Sequence, residues 1–409
     1  MTETPHRPPS GWDSDAQGHL RLGSETIERL AERLGTPFYA YDSARIARRI
    51  AELRAELPAG LALHYAIKAN PHPPLLGYLA ERVDGFDVAS KGEMQSALTA
   101  GMPAAHTSFA GPGKRDDELA AAVQAGVLVN VESAGELARL ARIADAHKRP
   151  ARVALRVNPP YELKSSGMRM GGGARAFGID AEQIPGLLRA WNGQTLHFEG
   201  LHLFAGSQCL KVDALLDTFA ANLALAAQLL AHAPTPARII NLGGGFGVPY
   251  FPGEAPLDLP RLGEGLRHHW NEWQPRLNAA QGVLELGRYL VAEAGVYVTR
   301  VVDRKHSRGE TFLICDGGMH HHLALSGNLG QVLRKNWPLV VANRLGQPNA
   351  ETVHLHGPLC TPLDILGSKL PLPRAEPGDL IAVFQSGAYG PSASPGAFLG
   401  HPAAAEILL

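Results

Sequence analysis

Eight times between Leu61 and Leu286 a short apolar run of β-prone residues is closed by Gly, Pro or Asn and, in most cases, followed by a helical pattern. The strand candidates are Leu61–Ala66, Gly85–Ala89, Thr107–Ala110, Val127–Val131, Arg152–Val157, His197–Phe204, Arg238–Leu242 and Val283–Leu286. Between them lie amphipathic stretches such as Pro74–Arg82, Glu93–Ala100, Asp116–Ala125, Ala134–Ala146 and Val212–Ala231. Alternation of this kind predicts parallel strands joined by crossover helices. Eight such units in about 230 residues match a (β/α)8 TIM barrel, usually about 250 residues long. A doubly wound open sheet is the alternative.

After Ala294 the texture changes. Val296–Asp303, Thr311–Asp316, Thr352–His356 and Asp379–Gln385 read as strands separated by turns and prolines, with little helix. Pro37–Tyr41 reads as a strand ahead of the first barrel helix, Ser43–Leu57, and can pair with the C-terminal strands. The expected division is a barrel over 43–293 and a discontinuous β-rich domain made of 1–42 and 294–409. At 409 residues, two domains is also the natural prior. The formal net charge of −1, with no basic run, speaks against nucleic acid or an anionic membrane surface as partner. No stretch reads as approaching the ~20 apolar residues of a membrane span. Met1–Ser10 lacks the apolar core of a signal peptide. The cysteines Cys209, Cys315 and Cys360 lie far apart and are odd in number, which argues for a reducing compartment, the cytoplasm.

Several segments can carry chemistry. Lys68 closes the strand of His64-Tyr65-Ala66-Ile67-Lys68-Ala69-Asn70. In apolar surroundings a lysine there would be partly desolvated and nucleophilic; taken alone, it reads as a surface lysine at a strand end. Gly243-Gly244-Gly245 follows the seventh strand candidate, where barrels often bind phosphate on backbone N–H groups, and a tight turn would need the same glycines. Glu285 and Arg288, at the end of the eighth, can serve opposite ends of a bound cofactor or pair with each other. Asp316-Gly-Gly-Met-His320-His321-His322 invites a metal reading. Adjacent strand residues face opposite ways, however, so no metal is expected, and the histidines read as polar loop residues. Cys360, in Gly357-Pro-Leu-Cys-Thr-Pro-Leu-Asp364, is either a small buried hydrophobe or a proton donor in a cleft. Ser386-Gly-Ala-Tyr389-Gly adds a glycine-framed phenol.

Together, from about Thr36 to Leu408, these segments resemble the fold-type III pyridoxal-phosphate decarboxylases. That group holds the ornithine, arginine and diaminopimelate decarboxylases, with an alanine-racemase-like barrel and a β-rich C-terminal domain. The wording is most similar to the exosortase-associated branch and to decarboxylases acting on aminoacyl groups held by a carrier protein, as in butirosin assembly. Glu162–Met168, Met170–Gly173, Asp316–Leu323, Cys360–Asp364 and Phe398–Pro402 carry that likeness. The resemblance implies α-decarboxylation of an L-amino acid or carrier-bound aminoacyl group, through a Lys68 aldimine and a quinonoid, in a cytoplasmic homodimer with shared active sites. Asp87 and Arg156 would line the pyridoxal 5'-phosphate pocket. Ser207, Gly243, Gly244, Gly245, Arg288 and Tyr389 would hold its phosphate, and Glu285 would pair with the pyridine nitrogen. Cys360 from the partner subunit would protonate the carbanion. Asp316, His320, Thr361 and Asp364 would stand on the substrate side.

Three departures matter. Phe204 stands where the family stacks a histidine on the cofactor ring, with His202 two residues earlier; an apolar ring can still stack. Thr361 replaces the glutamate with which diaminopimelate decarboxylases read a distal amine. His320–His322 replace other polar residues of those enzymes, which also carry a nearby arginine for the distal carboxylate. Losing charged distal contacts argues against free diaminopimelate, which is the alternative substrate. A racemase would need a different C-terminal base pattern, and a non-catalytic pyridoxal-phosphate carrier would need no second domain of ~115 residues.

Overall fold

The computed structural model describes residues 7–165, 167–169, 171–191, 193–251, 253–277, 279–329 and 334–409. Ser166 and Met170, part of the resemblance, and residues 1–6 of the N-terminal reading lie outside that set. The chain divides into two compact units. One runs from Ala47 to Val248 and from Ala255 to Leu290; the other takes the chain up to Ile46, Pro249–Glu254 and Val291–Leu409.

In the first unit eight parallel strands close on themselves: β1 Leu61–Ala66, β2 Gly85–Val88, β3 Thr107–Phe109, β4 Leu128–Val131, β5 Ala151–Asn158, β6 Leu196–Leu203, β7 Ile239–Gly244 and β8 Gln281–Leu286. Each pairs with its neighbours in chain order, and β8 returns to β1, so no open edge remains. The doubly wound alternative is therefore excluded. The short connections obey local rules. Ser90 and Ser133 cap the helices Lys91–Thr99 and Ala134–Ala146 by accepting the backbone N–H of Glu93 and Glu136, each three residues on. The helix Val212–Leu230 corrects the reading that no stretch approaches a membrane span, being long and apolar enough by composition. It packs on β6, β7 and the helix Leu259–Trp273, burying Phe219, Leu223, Ala226 and Leu229. Its leucine and alanine content is a barrel-facing stripe on a long crossover.

β7 departs from the sequence reading. It begins at Ile239 and runs through Gly243 and Gly244, residues that the pattern assigns to a loop. Gly244 pairs with Glu285 of β8, and a Cβ on Gly244 would lie 2.3 Å from the Glu285 carbonyl oxygen. Gly243 has φ +71°. Close strand approach at Gly244 and positive φ at Gly243 thus account for glycine at these two positions.

In the second unit Gly295–Ser307 is the spine. It pairs antiparallel with Phe38–Tyr41, Leu380–Val383 and Glu310–Cys315, and Phe38–Tyr41 pairs parallel with Ala405–Leu408. Glu351–His356 and Ile365–Leu372 extend the sheet. Ile365–Leu372 was hidden in the sequence by Pro371, and Ala405–Leu408 by its brevity. Leu20, Leu30, Phe38, Val296, Val298 and Phe384 form the core of this unit with the N-terminal hairpin strands and the helix Ile27–Leu34.

Candidate active site

Strands buried on both faces are expected to be almost wholly apolar. Each barrel strand nevertheless carries a buried polar residue at an equivalent level: His64, Asp87, Ser108, Asn130, Arg156, His202, Asn241 and Glu285. Register confirms the band. Asp87 lies beside Ser108, Arg156 beside His202, His202 beside Asn241, and Glu285 beside His64.

The band is wired by hydrogen bonds. His64 Nδ1 lies 3.3 Å from Asp87 Oδ1, which also accepts the Ser108 hydroxyl; Asn130 Nδ2 donates to Ser108 Oγ at 3.1 Å. Burial opposes charge on His64, yet the Asp87 carboxylate and then Glu285 hold its pKa above the ordinary imidazole value. Across the barrel His202 Nε2 lies 3.1 Å from Glu285 Oε2, and Asn241 Nδ2 donates to the same oxygen at 3.4 Å. Burial works to raise the Glu285 pKa, but the His202 contact, with the charges of Lys68 and Arg156, leaves it well below the usual carboxylate range. Glu285 is thus an anion inside the barrel. Arg156 Nη1 donates to Glu132 Oε1 at 2.7 Å, and Lys114 Nζ donates to Glu136 Oε1 at 2.7 Å, so these buried cations are neutralised within the unit.

At the C-terminal rim, Lys68 sits in the turn Ile67–Ala69 directly after β1. It is exposed, which corrects the expected apolar setting: the turn carries it past the strand end, with Nζ 5.6 Å from the Phe204 ring centroid. Phe204 follows β6 and tilts against His202 at 6.5 Å. Ser207 pairs with Met168 through the backbone. Cys209 N–H donates to the Gly245 carbonyl and Gly247 N–H to the Cys209 carbonyl, both at 2.9 Å, clasping the β6 and β7 loops. Arg288 opens a single helical turn after β8. Lys68, Ser207, the glycines, Glu285 and Arg288 therefore gather at one end of one barrel.

The remaining candidates belong to the second unit. Asp316 accepts from the Thr36 and Thr299 hydroxyls and from Arg300 N–H, the last at 2.9 Å. The histidines form a turn, not a strand, so the alternation argument used against a metal does not apply to them. His320 and His321 lie ring against ring at 3.7 Å, His320 is fully buried, and His322 Nε2 lies 3.1 Å from Ser386 Oγ. Burial, with His321 and His401 alongside, brings His320 down to about 4. Cys360 is exposed, Thr361 half-buried, and Tyr389 half-buried with φ +53°. Cys209, Cys315 and Cys360 form no disulfide.

Asp364 is a structural staple. Oδ1 accepts Met319 N–H at 2.6 Å and Oδ2 accepts Leu359 N–H at 2.9 Å, joining the loop after Asp316 to the loop of Cys360. A Cβ on Gly318 or Gly357 would fall 2.4 or 2.2 Å from its oxygens, so both glycines make room for the carboxylate. Asp364→Ala leaves two N–H groups without acceptors. It is expected to lower stability by about 2–4 kcal/mol, measured by urea unfolding.

Among the described residues, two buried polar atoms at the barrel band have no partner: Asp87 Oδ2 and His202 Nδ1. With the anionic Glu285 and the exposed amine of Lys68, they leave polar capacity for a heteroaromatic ring carrying an aldehyde and a phosphate. Residues 43–292 match the pyridoxal-binding domain of the pyridoxal-dependent decarboxylases. The chain belongs to that family. Pyridoxal phosphate is its cofactor, and the residues present fit it.

As a pyridoxal-dependent decarboxylase the chain is similar over nearly its whole length to curated relatives. It is 38% identical over 395 residues to the L-glutamyl-[BtrI acyl-carrier protein] decarboxylase of Niallia circulans, covering 95% of this chain and 92% of that one. It is 35% identical to the diaminopimelate decarboxylase of Pseudomonas aeruginosa, covering 89% and 85%. The crystal structure of a Helicobacter pylori diaminopimelate decarboxylase mutant complexed with L-lysine superposes with TM-score 0.82 at 28% identity, covering 93% of each chain.

Sequence reasoning reached Asp87 and Arg156 through the family likeness, and Glu285 from its own place at the end of the eighth strand candidate as well. It missed His64, Ser108, Asn130 and Asn241, and it noted His202 only as a neighbour of Phe204. A signal was available: a polar residue inside each otherwise apolar strand, the residue that a fully buried strand can least accommodate without a partner.

Proposed function

We propose that this protein releases CO2 from the α-carbon of an aminoacyl group tethered to a carrier protein, an L-glutamyl group being the leading candidate. The observation that carries the decarboxylase chemistry is Glu285: an anion on β8, beside the strand whose end bears Lys68. The carrier-bound substrate rests on the Niallia circulans relative. Pyridoxal phosphate, when bound, supplies an electron sink for the charge left as CO2 departs. Lys68 would anchor it covalently, Glu285 would keep a proton on its ring nitrogen, and Asp87 and Arg156 would line its pocket. Ser207, Gly243–Gly245, Arg288 and Tyr389 would hold its phosphate, and Phe204 would offer an apolar ring beside it.

The active form in this reading is a head-to-tail homodimer in the cytoplasm. Cys360 of the partner subunit donates the proton that replaces CO2, and its exposure on its own chain supports that role. Asp316, His320 and Thr361 stand on the substrate side. Thr361, lacking the charge of a glutamate, disfavours free diaminopimelate. The test is CO2 release from a panel of free L-glutamate, diaminopimelate and L-glutamyl carrier protein. The expected result is release from the carrier-bound substrate at least tenfold above the free acids; release from none would overturn the proposal.

Cys360→Ala is expected to keep the bound cofactor's absorbance while turnover falls roughly 10²–10⁴-fold, the usual worth of a positioned general acid. Deuterium incorporation at the product α-carbon should lose its stereospecificity. Full, clean turnover would remove Cys360 from the mechanism.

A further inference from the structure

Two histidine–carboxylate pairs lie inside the barrel: His202 with Glu285, and His64 with Asp87. The chemistry described above works through Glu285 and gives His64 no part. Both members of the second pair are more than nine-tenths buried. Hydrogen bonding fixes where its protons lie. Asn130 Nδ2 donates to Ser108 Oγ, and the Ser108 hydroxyl donates to Asp87 Oδ1. A carboxylate oxygen only accepts, so the 3.3 Å contact puts a proton on His64 Nδ1 whether the ring is neutral or charged. His64 therefore titrates at Nε2, the nitrogen not engaged with Asp87.

Space is kept at that nitrogen. A Cβ on Gly85 would fall 2.4 Å from His64 Nε2, so a side chain there would collide with the imidazole. His64 also borders a cavity of about 380 Å³ among Ala62, His106, Ser108, Leu128, Ile239 and Gln281. Leu128, Ile239 and Gln281 open β4, β7 and β8, which places this cavity at the N-terminal end of the barrel. Lys68 and Ser207 lie beyond the opposite ends of β1 and β6. Barrel interiors are ordinarily filled by bulky branched side chains. Ala62, Gly85 and Ser108 are small, and this end is hollow. With His64, Ser108 and Gln281 on its wall, the cavity has the room and the polar partners to hold water.

The charged groups facing His64 are Asp87 on β2, Glu285 on the adjacent β8 and Asp84 just before β2; all three favour the imidazolium against burial. His106 is the other titratable group on the cavity wall. Coupling of this kind is reciprocal, so a proton at Nε2 changes the field at Asp87 and Glu285 in turn. We propose that His64 is a positioning residue of the decarboxylase and its proton port: Nε2 exchanges one proton with the N-terminal cavity, while Nδ1–H holds Asp87 for the cofactor. No other bond changes in that exchange, and it bypasses the catalytic rim. The proposal rests on the reading above in which Lys68 anchors pyridoxal phosphate beside Asp87 and Glu285.

The visible absorbance of cofactor-loaded protein is followed between about pH 5 and pH 9, the range in which a perturbed histidine titrates. Wild-type protein should show a step centred above the ordinary imidazole value. His64→Asn keeps an amide donor toward Asp87 but does not titrate, so it should stay coloured and lose the step. His64→Ala lacks the donor, and its affinity for pyridoxal phosphate should fall roughly tenfold. Imidazole entering the vacated space should restore both affinity and step, and 4-methylimidazole, a stronger base, should move the step to higher pH. A merely structural role would lower the urea midpoint of these variants without removing or restoring a pH step. A step unchanged in His64→Asn overturns the proposal, and that variant decides the matter even where His64→Ala does not fold. A His64→Ala protein that binds cofactor yet gains no step from imidazole also overturns it. Colourless wild-type protein would overturn this proposal together with the Lys68 reading. If no substrate releases CO2 but the step still depends on His64, the port stands and the substrate reading fails.

Discussion

Lys68→Ala is expected to abolish the visible absorbance of the cofactor-loaded protein and to lower CO2 release by on the order of 10³-fold or more, as when a covalent nucleophile is removed. The fold should survive. Lys68 is exposed and, among the described residues, makes no buried ion pair, and its turn is held by others: Tyr65 hydroxyl donates to the Asn70 carbonyl at 3.0 Å, and Asn70 Oδ1 accepts His72 N–H at 3.0 Å. Truncating an exposed side chain in such a setting changes stability by about 0.5 kcal/mol or less. Absorbance, turnover and urea midpoint, measured on the same variant, therefore separate loss of the anchor from loss of structure. An unchanged spectrum would take the covalent role away from Lys68.

The barrel was legible because its signal is repetitive. Eight apolar runs at regular spacing leave few alternatives, and an error of a residue or two at any strand end does not alter the topology. The glycine triplet shows where pattern reading stops. Gly243 and Gly244 look like a strand terminator in the sequence, but pairing with β8 carries the strand through them. The partners of Glu285 were beyond a linear reading for the same reason. His202 lies 83 positions away in the chain, and only barrel closure brings the two within 3.1 Å. The histidine turn misled in the opposite direction: a rule for strands was applied to residues that are not in one. In the β-rich unit, short strands joined by irregular loops carry weak periodicity, so Leu339–Val341, Ile365–Leu372 and Ala405–Leu408 emerge only from their pairing. Residue roles that depend on a known chemistry came from motif wording, whereas roles such as the Asp364 staple follow from backbone geometry that no motif describes.

Glu285→Gln should keep the cofactor bound and coloured while turnover falls roughly 10²–10³-fold, the scale on which one preorganised charge acts in a water-excluded site. Glutamine preserves the shape and can still meet His202 and Asn241, but it has no negative charge with which to hold a proton on the ring nitrogen. A retained spectrum with lost turnover would distinguish this position from Lys68; full turnover in the variant would remove the charge from the mechanism. The same substitution makes a statement about pH. Because Glu285 is held below its unfolded pKa of about 4.3, the stability it contributes is present above that value and is lost as pH falls through the depressed folded value. Wild-type protein should therefore lose urea resistance between about pH 5 and pH 2 more steeply than Glu285→Gln. Equal acid limbs in the two proteins would mean that the His202 contact does not hold the carboxylate in its charged form.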